Sequence, residues 1–85
     1  MKYVLFLKKS AEKELLSLPR EQAQKIKSAI LSLTENPRPA GCKKISGKED
    51  DYRIRIGNYR VVYTISDKVL TVLVIKIAHR KEIYR

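Results

Sequence analysis

Hydrophobic and polar positions along the chain change their period as it proceeds, and each period predicts an element. Residues 2–7 are an almost unbroken apolar run of strand length. From residue 10 the spacing becomes helical: Ala11, Leu15 and Leu18 recur at i, i+4 and i+7. Ser10 is placed to cap that helix, and Glu12 follows where negative charge suits the positive helix end. Pro19 fits the first turn of a second helix, whose buried stripe is Ala23, Ile26, Ile30 and Leu33. Asn36-Pro37-Arg38-Pro39 ends it. Residues 40–51 read as a polar loop. The period then shortens to two from Tyr52 to Tyr63, a turn falls near Ser66-Asp67-Lys68, and a last strand runs from about Val69.

The resulting order is β-α-α-β-β-β, an α+β fold in which a two-helix hairpin packs on a mostly antiparallel, four-stranded twisted sheet. No repeat, linker or second domain is visible, so residues 1–85 are expected to form a single domain.

The period-two segment carries the most information. Gly57-Asn58 suits a two-residue primed turn, which needs positive φ at its first central position. Such a turn pairs Ile56 with Tyr59, Arg55 with Arg60, Ile54 with Val61, Arg53 with Val62 and Tyr52 with Tyr63. Side chains alternate between faces along a strand. One face is then Tyr52, Ile54, Ile56, Tyr59, Val61 and Tyr63, a core surface that makes these tyrosines packing residues rather than stacking platforms. The other face gathers Arg53, Arg55 and Arg60. Like charges opposite each other destabilise a sheet, so three guanidinium groups on one patch point to an anion held there. The bland alternative is an ordinary solvated face.

Overall charge agrees with the patch. The chain has 19 basic residues against 9 acidic and a net charge of +10, which favours a polyanionic partner, nucleic acid first. No segment reaches transmembrane length and no strongly apolar amphipathic helix is present, so a membrane is not the expected partner. The apolar start is cut short by Lys8 and Lys9 and lacks a cleavage site, unlike a signal peptide. The single Cys42 has no second thiol for a disulfide or a shared metal. The expected location is cytoplasmic, with no cofactor.

Four phrases, in order, resemble the RelE/ParE superfamily of toxins from type II toxin–antitoxin pairs, and its RelE branch in particular. They are Leu18-Pro19, Asn36-Pro37, the hairpin from Tyr52 to Tyr63, and His79-Arg80-Lys81-Glu82-Ile83-Tyr84-Arg85. The resemblance spans essentially the whole chain. It implies a RelE-like microbial RNase fold and a ribosome-dependent endoribonuclease, an mRNA interferase that cuts mRNA in the ribosomal A site without a metal and so inhibits translation. The implied partners are the ribosome, mRNA and a cognate RelB-type antitoxin whose acidic side chains compete with phosphate for the arginines. A helix of that antitoxin would lie against the 10–36 helical hairpin.

The implied chemistry is attack of a ribose 2′-hydroxyl on the adjacent phosphate, giving a 2′,3′-cyclic phosphate. It needs a base, cations for the phosphorane and an acid for the departing 5′-oxygen. The family's basic-x-basic pair falls on Arg53 and Arg55. Its phosphate clamps fall on Arg60 and Arg80, and a tyrosine that stacks on a base or orders the hydroxyl falls on Tyr84. The best-known pattern has lysines at the pair, one of them a favoured base. Guanidinium, with a pKa above about 12, gives up a proton poorly. His79, the only histidine, is the natural substitute because imidazole titrates near pH ~6.5. A two-residue turn at 66–69 would send His79 to the arginine face. A bulge, a longer turn or a strand ending at Ala78 would reverse that. Lys43, Lys44 and Lys48 are expected to grip RNA backbone, as phosphate contacts position without reading sequence. Two other classes stand beside this one: a ParE-like DNA gyrase inhibitor, and a catalytically inactive nucleic-acid-binding relic.

Overall fold

The computed structural model describes residues 2–45, 47 and 50–79. Strand β1 (Val4–Leu7) leads directly into helix α1 (Lys9–Leu16), followed by helix α2 (Arg20–Ser32). Strands β2 (Lys43–Lys44), β3 (Asp51–Ile56), β4 (Tyr59–Ser66) and β5 (Thr71–His79) complete the chain. The five strands form one sheet in the order β1-β5-β4-β3-β2. β1 runs parallel to β5 and the other pairings are antiparallel.

The expected α+β architecture is present, with one strand more than the four expected. Lys43 and Lys44, read from sequence as loop residues, pair with Arg53 and Tyr52 as a two-residue edge strand. Helix α1 starts at Lys9 with Lys8 as its N-cap and no side-chain cap, rather than at a Ser10 cap. The strand runs straight into the helix, so the first turn forms before Ser10 is reached. Helix α2 ends at Ser32, a few residues before Asn36-Pro37. Between the helices, Leu18 is biased away from helix by Pro19, whose own carbonyl accepts the Ala23 N–H at 2.9 Å.

The core lies between the helices and one face of the sheet. Ala11 from α1, Ile26 and Ile30 from α2, and Leu33 pack on Ile54, Val61, Tyr63, Ile65, Val72, Val74 and Ile77. Partly buried Leu15, Leu18, Tyr52 and Tyr59 close the edges. The Tyr63 hydroxyl donates to the Pro37 carbonyl at 2.7 Å and fixes the loop after α2 to the central strand. Burial holds that hydroxyl above its usual pKa. A second tie is polar and exposed. Asp67 accepts from Arg38 at 2.9 Å and from the Tyr3 hydroxyl at 2.6 Å, while the Arg38 Nε–H donates to the Tyr52 hydroxyl at 3.2 Å.

Two details of β4 and β5 decide where side chains point. Their loop is Asp67–Leu70, four residues rather than two, with Leu70 at φ 49°. Between Val62 and Tyr63 the register shifts: Tyr63 faces Val74 but Val62 faces Lys76, leaving Ile75 as the extra residue of a β-bulge. Beyond the bulge Tyr59 pairs with His79 and Arg60 with Ala78.

Candidate nucleic-acid interface

The hairpin is built as its residue pattern requires. Gly57 has φ +59° and Asn58 does not share the positive φ, the arrangement of a turn with its first central residue left-handed. The pairs Ile56–Tyr59, Arg55–Arg60, Ile54–Val61, Arg53–Val62 and Tyr52–Tyr63 are all present. Alternation therefore puts Arg53, Arg55 and Arg60 on the face turned away from the helices. β2 adds a fourth cation, because Lys43 lies directly opposite Arg53.

Together these side chains line a hollow of about 260 Å³ bordered by Gly41, Lys43, Arg53, Ile54, Arg55 and Arg60. Its charged lining is entirely cationic, which suits an anionic ligand such as a phosphodiester. The cations differ in how far they are withdrawn from water. Arg55 is exposed and Arg53 half-buried, whereas Arg60 is only 2% exposed. β4 is the middle strand, so Arg60 is flanked on one side by Arg55 and on the other by the small Ala78. A guanidinium so withdrawn meets a lower effective dielectric than one at the rim, and its pull on an anion is correspondingly stronger.

The remaining sequence-derived candidates lie as follows. Lys44 sits opposite Tyr52 and so belongs to the other face of the sheet. His79 also points to that other face: its ring meets Tyr59 edge-on, 5.4 Å between centroids. It borders a separate depression of about 330 Å³ with Glu14, Ser17, Leu18, Pro19, Tyr59, Ile77 and Ala78. The bulge at Ile75 is the cause, since without the extra residue Tyr59 would face Ala78 instead. Arg80, Tyr84 and Lys48 lie outside the described residues. Lys43 is the residue whose place in the hollow sequence reading missed. A two-residue strand has no periodicity to detect, and only its pairing with Arg53 brings it there.

Titration is displaced elsewhere, in the exposed cluster at the far end of β4. The guanidinium of Arg38, and then the hydroxyl of Tyr3, hold Asp67 below the usual carboxylate range. Asp67 in turn raises Tyr3 and, with Tyr52, keeps Arg38 firmly protonated. Among the described residues no three His, Cys, Asp or Glu side chains come together as ligands for a metal ion. Nor is any helix there long and apolar enough to cross a membrane.

A family model described as ParE toxin of the type II toxin–antitoxin system parDE matches residues 5–84. Toxin RelG of Mycobacterium tuberculosis is 30% identical over 86 residues, covering 100% of this chain and 99% of RelG. The toxin of the archaeal RelE–RelB complex from Pyrococcus horikoshii superposes with a TM-score of 0.84 at 29% identity, over 94% of this chain and 97% of its own. The isolated E. coli RelE toxin does so with a TM-score of 0.81 at 30% identity, over 96% and 90%.

Proposed function

The chain belongs to the ParE toxin family of type II toxin–antitoxin systems, within the RelE/ParE superfamily, and from that membership we propose that it is a RelE-type, ribosome-dependent endoribonuclease. One observation carries this reading: strand pairing gathers Lys43, Arg53, Arg55 and Arg60 around a single hollow with Arg60 almost fully withdrawn from water. A protein-binding poison has no need of four cations converging on one hollow. A catalyst of phosphodiester cleavage does, because negative charge accumulates on the phosphorane oxygens as the 2′-hydroxyl attacks.

In this mechanism the scissile phosphate enters the hollow. The Arg60 fork, held by the central strand, meets two of its oxygens. Arg53 and Arg55 neutralise the flanking backbone and position the ribose. The 2′-hydroxyl proton passes to water as the 2′-oxygen bonds to phosphorus. The Lys43 ammonium, in the part that His79 would otherwise fill, gives a proton to the 5′-oxygen as its bond to phosphorus breaks. That ammonium reaches the hollow, where guanidinium groups hold their protons too firmly to donate. The products are a 2′,3′-cyclic phosphate and a free 5′-hydroxyl, with no metal ion required. The setting is the cytoplasmic ribosome, with mRNA in its A site as substrate.

The solved P. horikoshii relative is a complex with RelB, and a RelB-type antitoxin is the partner we propose here. Acidic side chains of such a segment would occupy the cationic hollow. A helix would fit the apolar groove of about 380 Å³ between β1 and the two helices, lined by Leu5, Leu7, Leu15, Leu16, Ile30 and Leu31 among others. Leu16 is 79% exposed at its rim.

A second reading is gyrase inhibition, favoured by the ParE description of the family model. Controlled expression followed by mapping of mRNA 5′ ends separates the two. The nuclease reading expects new 5′ ends within translated codons, and cleavage in translating extracts that persists in EDTA. Intact mRNA with DNA breaks and an SOS response would establish the second reading. Intact mRNA with unaffected growth would leave a non-catalytic nucleic-acid binder.

A further inference from the structure

Strand β5 loses its outer neighbour halfway along. β1 pairs with it only from Thr71 to Val74. The Lys8 N–H then donates to the Val74 carbonyl at 2.9 Å, and the chain turns away into α1. The edge of β5 from Ile75 onward therefore faces a helix instead of a strand. This is also the part of β5 that follows the bulge and carries Ala78 against Arg60. A strand segment next to a bulge and lacking one neighbour is poorly fixed in register.

Glu14 of α1 fills the gap. Its Oε1 accepts the backbone N–H of Ile77 at 2.9 Å, and its Oε2 lies 3.5 Å from the Lys76 ammonium. The carboxylate thus takes the place of the missing strand's carbonyl, in a charge-assisted hydrogen bond of the stronger kind. The Glu14 side chain is 30% exposed, so much of this bond is sheltered from competing water. Ile77 pairs with Val61, the residue after Arg60, and Ala78 pairs with Arg60 itself. Holding Ile77 in place consequently sets the height of the β4–β5 ladder at the residue that lines the hollow.

We propose that Glu14 is a positioning residue for the site: its carboxylate clasps the unpaired edge of β5 and fixes where the Arg60 guanidinium presents to phosphate. This rests on the reading of Arg60 as the phosphate-binding group. Glu14 touches no substrate, and it acts from the helix side of the sheet while the chemistry occurs on the other.

The test compares Glu14→Ala with Glu14→Gln, because glutamine keeps an oxygen acceptor for the Ile77 N–H and discards the charge. Three readouts apply: hydrogen exchange at the Ile77 amide, the NMR signal of the Arg60 Nε–H, and single-turnover mRNA cleavage on programmed ribosomes at saturating toxin. Alanine should speed Ile77 exchange and shift the Arg60 signal. It should lower the saturated cleavage rate on the order of 10- to 100-fold, the cost of a misplaced group, with ribosome affinity unchanged. Glutamine should restore most of the rate and the Arg60 signal. Alanine cleaving at the wild-type rate, or glutamine as poor as alanine, would overturn the proposal. Should alanine not fold, the glutamine variant decides: a wild-type Ile77 amide and rate support the clasp, and loss of both removes it. Wild-type protein that cuts no mRNA would defeat the nuclease reading alone. The clasp would then stand or fall on whether Glu14→Ala moves the Arg60 signal.

Discussion

Replacing Arg60 by methionine removes the charge and the donor fork while keeping an unbranched apolar stem of similar bulk. That stem matters because Arg60 is 2% exposed, and an unbranched thioether can fill the channel that the arginine occupied. The rate effect follows from burial. Removing one preorganised donor to developing charge in a water-poor site costs on the order of 10²–10³-fold, or roughly 3–4 kcal/mol of transition-state stabilisation. Arg55, its cross-strand partner, is exposed. Charges at solvated positions contribute about 0–1 kcal/mol, so Arg55→Met should cost at most about tenfold. Arg60→Lys keeps a point charge but loses the bidentate fork and should fall between the two.

The assay is single-turnover cleavage of a ribosome-bound message, with each variant's thermal midpoint and circular dichroism measured beside it to show that the fold persists. The expected ranking of rates is wild type, Arg55→Met, Arg60→Lys, Arg60→Met. Folded Arg60→Met that cleaves within about threefold of wild type would refute the assignment of the phosphate-binding role. So would Arg55→Met proving the more damaging change, because burial would then not be what gives the hollow its strength.

Tyr63→Phe removes a fully buried hydroxyl and strands the Pro37 carbonyl that accepts from it at 2.7 Å; urea denaturation should show a loss of about 1–3 kcal/mol at an unchanged m-value, and a loss below about 0.5 kcal/mol would contradict the tie. Arg38 and Tyr3 depress the Asp67 pKa below its ordinary 3.8, so this cluster stabilises the fold above that pH and loses its contribution as pH falls through the lower folded value. The stability gap between wild type and Asp67→Asn should therefore close on acidification from about pH 5 to below about pH 3, and a gap independent of pH would count against the cluster. The gap itself should be small, since both charged partners are substantially exposed.

How far the sequence revealed this site depends on the range of each interaction. The hairpin was legible pair by pair because a two-residue turn at Gly57-Asn58 dictates every register that follows. The helical stripes were legible because Ala11, Ile26, Ile30 and Leu33 meet the sheet at helical spacing. What escaped depends on contacts made far along the chain. The pairing of Lys43 with Arg53 spans a polar segment and rests on two residues. The bulge at Ile75 adds one residue without disturbing an apolar run that reads equally well in either register, yet it sends His79 to the Tyr59 face. Alternation put Arg60 on the arginine face, but its withdrawal from water is a property of the folded molecule that no pattern in the sequence marks.

The same division explains how one scaffold serves unlike poisons. The face of the sheet under the helices holds the core residues that define the fold, and nothing on it obliges the opposite face to be cationic. On that opposite face, like charges stand directly across from one another at Arg55 and Arg60, an arrangement that costs a sheet a fraction of a kcal/mol for each such pair. A fold held by its other face can carry that cost, and whatever anion enters the hollow relieves it. Phosphate and an acidic antitoxin segment are then equivalent to the protein in electrostatic terms. On the proposed reading, inhibition would need no separate regulatory site, only a segment that presents carboxylates where the transcript would present its backbone. A family member that had given up cleavage would be free to lose these arginines without weakening its core. The four cations around one hollow are the physical reason for proposing a nuclease rather than a protein-binding poison.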